Sequence, residues 1–312
     1  MCRLGKILRR LIYAVLFASP LTLSLPLHPQ TGAPTSSAAS RQESSSALLA
    51  VVKDWGSLAG TVGGWPTAKA PRVPVEFLVA VTASGEWIDP TRQCSSDNST
   101  DAGGDAPGCK LFLNQYLNRP KTYTIVTSPG RGTTVQVKAL PKLGDCYDFA
   151  SSGLLSAPGI GTTAIAADSP GLFAAAPAWQ SVSAAELAIV RKGLLALGAE
   201  KVRNFTGVRV RKVAIEGQTI FVAERHSTAH RQLGIVFAVG RIVDGNFDLM
   251  RWNENGGEAG DTVEGALGVI RLKNGREFLI TTESDPEGQR FYAYEIKDGR
   301  LQIVFEGGGS SC

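Results

Sequence analysis

Val243-Asp244-Gly245 stands between two runs in which apolar residues alternate with polar ones. An acid or amide followed by glycine suits a tight β-hairpin turn, whose two central residues both need positive φ. The same device recurs at Ile215-Glu216-Gly217, Lys273-Asn274-Gly275 and Lys297-Asp298-Gly299. Four such turns predict that the chain after residue 204 is an antiparallel meander of repeated hairpins, forming a curved sheet, a barrel or a partial propeller. The expected fold class is therefore mainly β, with one or two packed helices.

Upstream of the meander, Ser183-Ala184-Ala185-Glu186 is a capping box. Leu187, Val190, Leu194 and Leu197 follow at helical spacing and Gly198 supplies a stop, so a helix packed on a sheet is expected here. Residues 122–127 and 133–138 read as strands joined by Ser128-Pro129-Gly130-Arg131-Gly132. That loop lacks the Lys-Ser/Thr end and the following helix of a phosphate loop, so it reads as a turn. Residues 73–81 alternate as a strand does. Residues 47–58, with Leu48, Leu49, Val51, Val52 and Trp55 clustered, read as a short apolar helix. Gly159-Ile160-Gly161-Thr162-Thr163-Ala164 matches the two-glycine dinucleotide pattern. Pro158 precedes it, no strand leads into it and Pro170 blocks the helix that should follow, so no nucleotide site is expected.

A basic head of Arg3, Lys6, Arg9 and Arg10 followed by an apolar run over residues 11–27 has the form of a bacterial-type export signal. The run falls short of the roughly 20 apolar residues a spanning helix needs, and Pro20 and Pro26 interrupt it, which favours cleavage over anchoring. Thr22-Leu23-Ser24 is the best cleavage candidate, and an uncleaved anchor is the alternative. Residues 28–46 are rich in Pro, Thr, Ser, Ala and Gln with little to bury, and read as a disordered tether. Residues 47–312 then form a β-rich domain with a candidate division near residues 150–180. The expected localisation is periplasmic or secreted.

The net charge of +4 reflects 32 basic and 28 acidic residues, and the four cations of the head are all in the signal, which contains no acid. The remainder is balanced, and without a basic surplus it lacks the usual electrostatic case for nucleic acid or an anionic membrane. Membrane contact is expected only through an uncleaved signal. Four cysteines lie beyond the signal: Cys94, Cys109, Cys146 and Cys312. An even count in an oxidising compartment suggests two disulfides among three possible pairings. Cys94 with Cys109 and Cys146 with Cys312 are favoured: the first closes a Gly-, Asp- and Ser-rich loop, and the second fastens the glycine tail. A free or intermolecular Cys312 is the alternative.

Two groups have metal-ligating composition. His226 and His230 are four residues apart, and Glu224 is a third donor for zinc. Their flanks read as strands, however, so the segment is a loop in which that spacing fixes no geometry. Asp97, Ser99, Asp101 and Asp105 fall at alternate positions like the oxygen ligands of a calcium loop. Ala102 occupies the position that needs Gly, and Gly108 the one that needs Glu, so a solvated loop is favoured. Asn253, Asn255, Glu258 and Asp261 have similar composition and no better spacing. Calcium and zinc are thus the only cofactors with any sequence support. No Gly-x-Ser-x-Gly elbow is present, and no residue is assigned to catalysis or cofactor binding. Trp65, Trp87, Trp179 and Trp252 are expected to be core residues.

The segments 285–291 and 298–301, followed by Val304-Phe305-Glu306-Gly307-Gly308-Gly309-Ser310-Ser311-Cys312, resemble the end of uncharacterised secreted bacterial proteins with a Gly-Gly-Gly-x-x-Cys tail. The repeated turn-strand pattern is similar, more distantly, to integrin-type β-propellers, a resemblance that implies calcium loops in the blades. None of the four turns carries an Asp-x-Asp-x-Asp-Gly run. The sequence therefore leads to an exported β-rich envelope module that binds or supports, without catalysis, with an envelope protein or glycan as partner. The alternative is a metal-dependent periplasmic hydrolase using His226 and His230.

Overall fold

In the computed structural model the described residues are 46–53, 72–88, 110, 113–117, 120–138, 150–156, 163–196, 207–225, 235–255, 263–285 and 288–307. All of them belong to one compact unit, Glu43–Cys312. Seven strands form the first sheet: β1 (Ser46–Lys53), β2 (Arg72–Thr82), β3 (Trp87–Ile88), β4 (Lys121–Ile125), β5 (Thr134–Val137), β6 (Ala150–Leu155) and β7 (Thr163–Ala167). Their order is β1-β7-β4-β5-β6-β2-β3, and the sheet curls until β2 also pairs with β1. The chain then enters β8 (Gln180–Ser181), helix α1 (Ala184–Ala196), β9 (Arg209–Ile215), β10 (Gln218–Arg225), β11 (Ile235–Val243) and β12 (Asn246–Asn255). These five strands form a second sheet, β12-β11-β10-β9-β8. The third is the meander β13 (Val263–Arg271), β14 (Glu277–Asp285), β15 (Gly288–Lys297) and β16 (Arg300–Gly307). The protein is thus mainly β, built from antiparallel hairpin sheets with one main helix.

The hydrophobic clusters show how the layers stack. Leu48, Ala50, Val52, Val75, Tyr123, Ile125, Val135 and Ala166 fill the inside of the curled first sheet. Its outer face, with Leu49, Val51, Val81 and Ile165, packs on Ile270, Phe278, Ile280 and Phe291 of the third sheet. The opposite face of the third sheet, with Val269, Leu279, Tyr292, Tyr294 and Ile296, packs on Val213, Ile220, Val222, Phe237 and Val239 of the second. Helix α1 covers the far side of the second sheet through Val190 and Leu194 against Phe221, Ala223 and Ala238. The third sheet therefore has apolar residues on both faces.

β6 (Ala150–Leu155) is a strand shortly before Gly159, where none was expected, and the same burial explains a second correction. Residues 46–53 are a strand, not the first turns of a helix. Leu48, Ala50 and Val52 point into the first core while Ala47, Leu49 and Val51 point into the second, all fully buried. With both faces apolar the period of two vanishes, and what remains looks compatible with a helix. Residues 54–58 lie outside the described residues.

The turn chemistry holds at three of the four sites. Glu216, Asp244 and Asp298 have φ of 48°, 49° and 52°, and Gly217, Gly245 and Gly299 follow at 74°, 74° and 70°. The fourth turn differs, because only Gly275 has positive φ, at 92°. Here Lys273 and Asn274 are the turn residues, Gly275 donates to the Leu272 carbonyl at 3.0 Å, and the Leu272 N–H reaches Arg276 O. Asn274 Oδ1 accepts from the Arg276 N–H. This is the longer hairpin with a glycine bulge. The capping box also forms: the Ser183 N–H donates to Glu186 Oε2 at 2.7 Å and the Glu186 N–H to Ser183 Oγ at 3.2 Å. Residues 121–125 and 134–137 pair as the expected hairpin.

Candidate functional site

Glu224 is the last residue but one of β10, and it is 5% exposed. Its Oε2 receives Arg211 Nη2 from the neighbouring strand β9 at 2.7 Å. Its Oε1 receives the backbone N–H of Ala266 in β13, from the third sheet, at 2.6 Å. The Arg211 guanidinium also reaches Ala266 O at 3.4 Å and lies 4.2 Å over the Trp179 ring. Both carboxylate oxygens of this candidate zinc donor are therefore engaged, Oε2 within the second sheet and Oε1 joining it to the third. His226 and His230 lie outside the described residues, as do Asp97, Ser99, Asp101, Asp105, Glu258, Asp261, Trp65 and the cysteines Cys94, Cys109, Cys146 and Cys312. Asn253 and Asn255 lie at the end of β12. Among the described residues no group of three or more His, Cys, Asp or Glu side chains is placed to hold a metal ion.

Other charged groups do similar work elsewhere between the layers. Glu277, 3% exposed, accepts the Glu216 N–H and Arg271 Nε, both at 2.5 Å. That contact seats the tip of the β9–β10 hairpin on the third sheet. Burial, followed by the Glu295 and Glu277 carboxylates, raises the pKa of Glu216 against the opposing pull of Arg276. Arg276 grips both oxygens of Glu295 at 2.9 and 3.1 Å and donates to Ser84 O at 2.8 Å, locking the β2–β3 turn to the third sheet. Trp87 packs between Phe278 and Phe305 at the same junction. Trp87, Trp179 and Trp252 all pack against cores, as their residue type suggests.

One open groove, of about 540 Å³, lies between α1 and strands β10 and β11. Its lining includes the apolar side chains Ile189, Phe221 and Ile242 and the polar ones Glu186, Gln218 and Arg241. Lys212 at 2.7 Å, then the Ser183 N–H, holds the Glu186 carboxyl down to about 2. Arg241 donates to Asp248 at 2.8 Å and to Gln218 at 3.1 Å, and Gly299 of the β15–β16 turn lies against its guanidinium. A Cβ at Gly299 would stand 2.6 Å from Arg241 Nη1. The groove thus mixes apolar side chains with polar ones whose carboxyl and guanidinium groups are already engaged within the chain. The capping box marks Glu186 in the sequence, but the other groove residues come from separate segments and carry no motif. Among the described residues no helix is long and apolar enough to cross a membrane. Comparison with protein families, curated proteins and solved structures finds no match to this chain.

Proposed function

We propose that this chain is an exported β-rich module of the cell envelope that binds a partner or supports structure without catalysing a reaction. The observation that carries the reading is the use of Glu224, Arg211, Glu277 and Arg276 to fasten sheets and turns together. Such contacts suit a rigid scaffold that presents a surface. The export-type N-terminus and the Gly-Gly-Gly-Ser-Ser-Cys tail support a place outside the cytoplasm. An envelope protein or glycan is the partner class, met at the groove beside α1.

Partner capture tests this directly. Immobilised exported protein is expected to retain an envelope protein or glycan, and Ile189→Lys in the groove lining should abolish retention without changing the melting temperature. Retention unaffected by that change would remove the groove from the proposal. Turnover on a hydrolase panel, lost together with bound zinc in His226→Ala/His230→Ala, would replace the binding reading with the hydrolase one.

A further inference from the structure

Successive carbonyls of the β2–β3 turn face the β13–β14 turn of the third sheet. Asn274 Nδ2 donates to Ala83 O at 2.9 Å, and Arg276 Nη1 donates to Ser84 O at 2.8 Å and to Gly85 O at 3.3 Å. Asn274 Oδ1 accepts the Arg276 N–H at 3.0 Å, so both ends of the Asn274 amide are held. The next residue is Gly275, exposed like Asn274, with a φ of 92° and nothing within 4 Å of where a Cβ would stand. An asparagine followed by glycine is the pair most open to attack on its side-chain amide by the following backbone nitrogen, because glycine has no Cβ to obstruct ring closure. Here that nitrogen is engaged, the Gly275 N–H donating to Leu272 O at 3.0 Å.

We propose that Asn274 is a site of spontaneous deamidation, guarded while the β2–β3 turn is docked on the third sheet and reactive when that turn lifts away. In the reaction the Gly275 nitrogen attacks Asn274 Cγ. The new N–C bond forms, the Cγ–Nδ2 bond breaks, and the Gly275 proton leaves with Nδ2 as ammonia. Water then opens the cyclic succinimide to aspartate or isoaspartate, with no change of oxidation state. Ring closure turns the amide away from Ala83 O and takes the Gly275 N–H from Leu272 O, so local opening precedes the chemistry. The product does not restore the contact. A carboxylate at position 274 sets an acceptor against the Ala83 carbonyl where a donor stood, and it competes with Glu295 for the Arg276 guanidinium. Isoaspartate also lengthens the turn backbone. Deamidation therefore converts a reversible opening into a lasting loosening of the β2–β3 turn from the third sheet.

The test is peptide mapping with isoaspartate detection on the exported chain, aged in mildly alkaline buffer with and without urea. Asn274 should convert at least about tenfold more slowly in the folded protein than in the unfolded chain. Arg276→Gln gives up the hold on Ser84 O and Gly85 O and should raise the native rate at Asn274 severalfold. The other Asn-Gly pair of the sequence, Asn255-Gly256, should keep its rate, which separates local loosening from unfolding. Should the variant fail to fold, wild type decides: the factor by which folding slows deamidation should match the protection of the Gly275 amide against hydrogen exchange. Asn274→Asp, which stands for the product, should melt below wild type at neutral pH. That difference should close below the carboxylate range, where the protonated carboxyl can again donate to Ala83 O. Equal rates at Asn274 in folded and unfolded chains overturn the proposal. So does a folded Arg276→Gln protein with the wild-type rate, deamidation slowed far less than exchange, or an Asn274→Asp protein that melts with wild type at neutral pH.

Discussion

Glu224 joins three segments of chain: its own strand, Arg211 of β9 and the Ala266 N–H of β13. The metal-donor role expected from its composition and the contacts seen here draw on one property, an anionic carboxylate. Removing it strands a largely buried guanidinium and an inter-sheet N–H. Glu224→Ala is therefore expected to cost about 3 kcal/mol or more in urea unfolding, since breaking a buried pair leaves an uncompensated charge. Replacing Arg211 and Glu224 together by apolar residues should recover much of that loss. Glu216 makes the opposite case. Its folded-state pKa is raised, so around and above the carboxylate range the folded state holds more protons than the unfolded one, and stability falls as pH rises. Glu216→Gln should melt higher than wild type at neutral pH, with the difference vanishing below the carboxylate range. A variant less stable than wild type at neutral pH contradicts that assignment.

Helix α1 and the hairpin turns were readable because each rests on local chemistry. Ser183→Ala removes the cap and should cost about 1 kcal/mol. Gly193 tests packing against propensity. Alanine is the better helix former by about 1 kcal/mol, but a Cβ there would stand 2.6 Å from Phe247 Cβ. The clash should win, so Gly193→Ala lowers the melting temperature. The strand β1 was not readable as such, because residues buried on both faces lose the alternation that distinguishes strand from helix. Asn274 shows a finer limit. Asn-Gly fits a two-residue turn, yet here Asn274 also donates to Ala83 O across the layer boundary, and the longer turn is adopted.

Across the whole molecule, alternation predicts sheets but not their stacking order, because which face meets which neighbour depends on contacts distant in sequence. The third sheet comes last in the chain yet lies between the other two. The groove is equally hidden, being assembled from a helix face and two strands. Buried charges join the layers of this scaffold, and we propose that it holds no resident metal. The most direct measurement is the melting temperature of exported, tag-free protein in EDTA, calcium and zinc, since any ligand of the folded state alone must raise it. One temperature is expected in all three. A zinc-specific rise that disappears in His226→Ala/His230→Ala, or a calcium-specific rise that disappears when Asp97, Asp101 and Asp105 are replaced by Asn, would contradict it.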